Sequence, residues 1–178
     1  MSSPSRYPSA MIALHWLIAL LIVAAFALGT VMTDMKISPT KLQYYSYHKW
    51  LGVTVLALVA IRLLTRLFSK VPPYPASMGG WQLKAANLTH FLLYVLMFAV
   101  PLSGYFYTSA AGYPVVYLGL FELPTFIAPN PELKPILKEL HETLTTVILV
   151  VVGLHVVAAL KHHFIDKDGI LQRMLPGQ

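Results

Sequence analysis

The sequence predicts an all-α protein, a four-helix transmembrane bundle. Three observations carry that prediction. Of 178 residues, 57% are hydrophobic and only 11% are charged, against about 25% charged in an average soluble domain. Four apolar runs divide the chain, each close to the ~20 residues a membrane-crossing helix needs. None alternates apolar and polar residues as barrel strands do, and only helices or closed barrels satisfy every backbone group in lipid. Mean hydropathy is +0.65. The length suits a single transmembrane domain over 1–178.

The spans cover approximately 11–33, 47–68, 87–109 and 140–162. The first contains Ala25-Phe26-Ala27, which resembles a signal-peptide cleavage site. Only Arg6 precedes it as a cation, and the run exceeds a typical signal h-region, so it reads as a retained span. A polar link, 34–46, leads to the second. The Pro-rich VPPYPAS at 71–77 makes a loop before the third. Between the third and fourth lies a longer segment, about 110–139. It contains Pro114, Pro124, Pro129, Pro131 and Pro135 and is expected to hold a short interfacial helix.

Four spans put the N-terminus, the second loop and the C-terminus on one side. That side carries Arg6, Arg62, Arg66, Lys70, Lys84, Lys161, Lys167 and Arg173. The other carries Lys36, Lys41, Lys49, Lys134 and Lys138. Cytoplasmic loops are the richer in Lys and Arg, so both termini are expected in the cytoplasm. The net charge of +6 is assigned to topology and anionic lipid headgroups rather than to nucleic acid. There is no cysteine. That excludes disulfides, thiolate haem ligands, Cys-ligated iron–sulfur clusters and cysteine nucleophiles.

All seven histidines lie in or beside the apolar runs. Ionisable groups there are costly, and they usually face the bundle interior or a functional path. His15 and His155 fall near the cytoplasmic ends of spans one and four. His48 and His141 start spans two and four on the far side. His141 and His155 are 14 residues apart, about 21 Å of rise, with side chains within about 40° of one face. One helix thus points two imidazoles at its neighbours at two membrane levels, and each has a partner at its own level. Two pairs, one near each surface, are what two bis-histidine haems stacked across a bilayer require. Neutral imidazole is a good axial ligand for haem iron. Filling both axial positions suits electron transfer more than oxygen activation. A helical bundle is a natural host. Gly52, four residues after His48, leaves room for a flat macrocycle, as do Gly104 and Gly153; ordinary helix packing is the other reading. A His-lined ion path without haem is a third class of function. Such a path usually recruits carboxylates, and no Asp or Glu lies mid-span.

Several segments carry a family resemblance: ALHWLIALLIV (13–23), YHKWLGVTVLALVAIRLLTRL (47–67), LTHFLLYVLMFAVPLSGY (88–105) and LHETLTTVILVVVGLHVVAALKHHF (140–164), with the tail DKDGILQRMLP. They resemble the bacterial cytochrome b561 family, relatives of the cytochrome b subunits of hydrogenases and formate dehydrogenases. The resemblance implies four transmembrane helices and two b haems in the inner membrane. His15 and His155 would ligate the cytoplasmic-side iron, and His48 and His141 the periplasmic-side iron. Some members resemble a superoxide oxidase, which passes electrons from periplasmic superoxide to ubiquinone.

Around these ligands, Arg62 lies 14 residues after His48 and is read as a partner of a haem propionate; a topogenic charge is the alternative, and the preferred reading for Arg66. His162 and His163, two turns beyond His155, are candidates to donate hydrogen bonds and protons to quinone; a solvated helix end is the alternative. His90, near the same level, contacts propionate or quinone, or merely packs. The far-side lysines would draw an anion weakly, because Asp34, Glu122, Glu132, Glu139 and Glu142 offset them. Tyr44, Tyr45, Tyr47 and Trp50 read as an interfacial aromatic belt. The leading expectation is therefore an oxidoreductase, a dihaem cytochrome that moves electrons from superoxide to ubiquinone. The alternative is a non-catalytic electron-transfer subunit or shuttle for a quinol-linked or periplasmic redox partner.

Overall fold

In a computed structural model, which describes residues 6–177, four long helices form the protein. They are α1 (Ser9–Asp34), α2 (Pro39–Phe68), α3 (Gly80–Ala110) and α4 (Leu133–Lys161). Each is long and apolar enough to cross a membrane. A π-helical turn (His162–Asp166) extends α4, and a 3-10 turn (Gln172–Met174) follows it.

The helices outrun the apolar segments. Ser38 caps α2 by accepting from Lys41 N–H at 3.2 Å, with Pro39 in the first turn where its missing N–H costs nothing. The expected link 34–46 therefore shrinks to 35–38, and its polar residues form two extra helical turns. At α4, the Asn130 side chain accepts from Glu132 and Leu133 N–H at 3.0 and 2.9 Å. His48, His90 and His141, expected to start their spans, consequently sit well inside helices.

The third connection holds no separate interfacial helix. An antiparallel hairpin, β1 (Val116–Tyr117) with β2 (Phe121–Glu122), stands in its place. Its turn needs positive φ at Leu118 and Gly119, +53° and +74°. The hairpin is clipped to α2: Lys49 Nζ donates to the Pro114 carbonyl at 3.0 Å and Trp50 Nε1 to the Val116 carbonyl at 2.6 Å. Thr54 and the Tyr117 hydroxyl meet at 2.8 Å. Trp50, expected in an interfacial aromatic belt, is thus a fastener for the hairpin.

Close backbone packing runs in series, α1 on α2, α2 on α3 and α3 on α4. An apolar wedge of Ile18, Val55 and Val59, flanked by Tyr94, Met97 and Phe98, fills the bundle between α1, α2 and α3. On α4, the buried Ile148 lies seven residues from both His141 and His155. These residues separate the two imidazole levels. The outward faces, including Leu20, Val23, Leu64, Phe91 and Val157, are exposed and apolar, which suits lipid contact.

At the end of the bundle that carries both termini, the C-terminal tail is tied down. Trp16 Nε1 donates to the Met174 carbonyl at 2.7 Å, Arg173 to the Pro73 carbonyl at 2.6 Å, and Arg6 to the Leu175 carbonyl at 2.5 Å.

Candidate functional site: two imidazole pairs

The four histidines expected as two pairs do meet in those pairs, each reaching from α4 to a neighbouring helix, and His90 of α3 joins the second. His48 of α2 faces His141 of α4 with ring centres 6.2 Å apart and planes at 85°. His15 of α1 faces His155 of α4, also at 6.2 Å, with planes at 71°. The first pair lies toward the hairpin, the second toward the termini.

That separation tests whether a metal suits each gap. A metal–imidazole bond is about 2.0–2.1 Å, and a ring nitrogen lies about 1.2 Å from its ring centre. Two imidazoles on one metal therefore have centres about 6.4 Å apart, with a single atom's room between them. Both pairs match this within a few tenths of an ångström. The same separation also falls within the range of an edge-to-face ring contact, so it is the distance together with the chemistry of the donors that suits a metal.

The His48–His141 pair is also oriented. His48 Nδ1 lies 2.9 Å from the Ala25 carbonyl oxygen, and His141 Nδ1 lies 3.0 Å from that of Val100. A carbonyl only accepts, so each Nδ1 must carry the proton, leaving Nε2 with a lone pair for a metal. The Ser103 hydroxyl donates to Val100 O at 2.8 Å and sits 3.0 Å from His141 Nδ1. Such outer hydrogen bonds fix tautomer and ring direction in metal sites and raise ligand basicity.

One backbone device serves both rings. The anchoring carbonyls, Ala25 and Val100, each lie one turn before a glycine, Gly29 and Gly104. A Cβ at Gly29 would stand 3.2 Å from His48 Cε1; a Cβ at Gly104 would stand 2.9 Å from His141 Cε1. The absent side chain is what lets each ring reach the carbonyl beneath it. Sequence reasoning named Gly104 only as room for a macrocycle, and it missed Gly29, Ser103 and the carbonyls. The available signal was a glycine within an apolar run.

At the other pair the surroundings differ. Arg62 is buried, 9% exposed, and donates to the Met11 carbonyl at 2.8 Å. It is close enough to act electrostatically on His15, His90 and His155. The His90 ring meets His155 edge-on at 5.5 Å. Gly52, one turn from His48 of the first pair, faces Pro101, whose Cβ would lie 3.9 Å from an added methyl.

His162 and His163 lie outside the pairs, in the π-helical turn. His162 Nδ1 bonds Asp168 at 2.6 Å and approaches Asp166 at 3.1 Å. These three side chains could gather around a cation, but Lys161 Nζ already holds both Asp166 oxygens, at 2.6 and 2.8 Å. His163 Nδ1 lies 3.0 Å from Gln172 Nε2, an amide donor, so this nitrogen accepts. Two surface clefts, about 330 and 270 Å³, sit at opposite ends of the bundle and include none of the paired histidines.

The family model for prokaryotic cytochrome b561 matches residues 6–177. The chain belongs to the prokaryotic cytochrome b561 family. It is therefore a multi-pass membrane electron-transfer protein, and membership implies haem b. The chain is 35% identical to cytochrome b561 homolog 2 of Escherichia coli (strain K12), over 98% of this chain and 93% of that protein. It is equally identical to cytochrome b561 homolog 1 of the same organism, over 97% and 98%. It is 29% identical to a probable superoxide oxidase CybB of Yersinia pestis, over 96% of each. For a cytochrome b561, the paired imidazoles are the donor set with the right chemistry. They offer nitrogen donors, two per pair, in a chain with no thiolate to offer.

Proposed function

We propose that this single-domain cytochrome b561 holds two b haems, one at each imidazole pair, and carries electrons across the bacterial inner membrane from periplasmic superoxide to ubiquinone. The supporting observation is the two ring separations, each matching one metal held between two imidazoles. When bound, haem supplies a one-electron carrier that both imidazoles keep closed to substrate.

The chain's own residues do the rest. His48 and His141, held by the Ala25 and Val100 carbonyls, present Nε2 lone pairs near the hairpin end. His15 and His155 do so near the termini. The apolar wedge of Ile18, Val55 and Val59 keeps water from the space between the levels. With the termini cytoplasmic, by the lysine and arginine bias, the His48–His141 site is the periplasmic one. Lys49 stands next to His48 and bears a charge that attracts an anionic donor. Gly52, one turn after His48, lets α2 lie close to Pro101 of α3. At the cytoplasmic end, His162 and His163 would donate hydrogen bonds and protons to a quinone as it is reduced.

The superoxide assignment draws on the kinship to a protein named a probable superoxide oxidase. The test uses purified protein in detergent. Reduced protein should show sharp b-type α and β bands, with haem at two per chain. Superoxide generated enzymatically should then reduce a soluble quinone at a rate proportional to protein. A colourless protein ends the haem reading. A two-haem protein without turnover ends the superoxide reading.

A further inference from the structure

Around His15 and His155 the bundle interior holds more polar groups than it satisfies. His90 Nδ1 is buried with no hydrogen-bond partner among the described residues. One turn further along α3, the Tyr94 hydroxyl is also buried and unpartnered, its ring packed on the apolar wedge. On α2, Arg62 is buried, and among the described residues only the Met11 carbonyl receives it. Among the described residues no carboxylate lies within ion-pair distance of Arg62 or Arg66. Both cations act electrostatically on His90. Among the described residues the His48–His141 level has nothing comparable: its Nδ1 atoms are satisfied and no arginine stands there.

Leaving a buried polar group unsatisfied is costly, and a buried charge without a counter-charge costs more. An orphaned His90 nitrogen within electrostatic reach of a buried guanidinium, with an orphaned Tyr94 hydroxyl one turn along the same helix, calls for a ligand with negative charge and several oxygen acceptors. A quinone is neutral, so its carbonyls would accept hydrogen bonds and leave the charge unanswered. Carboxylates answer both needs, and a b-type porphyrin carries two as propionates.

We propose that His90 and Tyr94, with Arg62, form a carboxylate-holding subsite that grips a propionate of the haem at the His15–His155 level. This rests on the dihaem reading above. His90 and Tyr94 are then positioning residues: His90 donates from Nδ1, Tyr94 from its hydroxyl, and Arg62 supplies the charge. A donor to a propionate withdraws negative charge from beside the iron. Its loss favours the oxidised state and lowers the reduction potential of that haem alone.

Redox titration of the purified holoprotein, followed by absorbance, tests this in wild type, Tyr94→Phe, His90→Phe and His90→Gln. The His141→Ala variant identifies which couple belongs to the His15–His155 site. Tyr94→Phe and His90→Phe should each make reduction of that couple about three- to tenfold less favourable, tenfold being about 59 mV for one electron. His90→Gln keeps an N–H donor and should recover most of the shift. Should His90→Phe fail to fold, Tyr94→Phe, which loses only a hydroxyl, carries the test. Unchanged potentials in the Phe variants, or a shift confined to the other couple, overturn the subsite. Unchanged potentials with a raised KM for a soluble quinone overturn it in favour of quinone at this position. A wild-type protein without haem instead defeats the dihaem reading, a separate result.

Discussion

Gly104→Ala adds one methyl where the structure has least room for it. The new Cβ would stand 2.9 Å from His141 Cε1, 3.1 Å from Nδ1 and 3.4 Å from Nε2. Carbon atoms prefer about 3.5–4.0 Å, so the ring must retreat by roughly 0.6–1.1 Å. It is not free to do so, because Nδ1 is tied to Val100 O and Ser103 Oγ, each at 3.0 Å. Overpacking of this kind costs about 1–3 kcal/mol. The gain in helix propensity from Gly to Ala, about 1 kcal/mol, returns part of that to the fold. The helices should therefore survive while the His48–His141 site suffers. Disturbing an outer hydrogen bond to a ligating histidine weakens metal binding by about 10–100-fold. Purified Gly104→Ala should keep one haem firmly and lose much of the other, read as haem-to-protein ratio by pyridine haemochrome. Gly29→Ala, with its Cβ at 3.2 Å from His48 Cε1, should give a milder loss from the same site. A Gly104→Ala protein with two haems, wild-type bands and unchanged thermal stability would refute the steric reasoning.

Other expected outcomes follow from the same geometry. His141→Ala or His48→Ala should lose one haem and stop superoxide-driven reduction; two low-spin haems in either variant contradict the ligand assignment. His162→Ala breaks the 2.6 Å contact with Asp168; it should keep both haems and slow quinone reduction by about a hundredfold, within the range for a lost proton donor, and wild-type turnover would remove His162 from the quinone site. Trp50→Phe loses the 2.6 Å bond to Val116 O, worth about 0.5–1.5 kcal/mol; limited proteolysis should cut the 111–132 segment faster with the haem bands unaltered, and equal cutting rates would show that the hairpin holds without this bond.

The spans were legible because lipid imposes a plain rule on composition. The helix ends were not. Outside the apolar slab, capping chemistry decides where a helix begins, and Ser38-Pro39 starts α2 amid residues that hydropathy reads as a link. The hairpin was hidden for a different reason. Its turn puts Leu118 at φ +53°, where a sequence reading looks for Asn or Gly. The juxtaposition of His141 with His48, and of His155 with His15, follows from counting turns; their service as iron ligands is the proposal above. The anchors at Ala25 and Val100 could not be read at all, because a carbonyl has no residue identity. Only the glycine one turn later leaves a trace.

The two imidazole pairs share a spacing but not an environment, and the difference predicts a direction. At the hairpin end, Nδ1–H bonds to carbonyls make both imidazoles more basic, which stabilises the oxidised metal and lowers the potential. At the terminal end no such anchor to His15 or His155 is found among the described residues. A buried arginine and the unpartnered His90 Nδ1 stand there instead, both favouring added negative charge and raising the potential. An electron placed at the His48–His141 site should therefore move downhill to the His15–His155 site, toward the cytoplasmic surface under the topology proposed. Redox titration of His141→Ala should accordingly remove the lower of the two couples and leave the higher. If the surviving couple is the lower one, the arginine and the carbonyl anchors do not set the order, and the proposed route from periplasmic donor to quinone runs uphill.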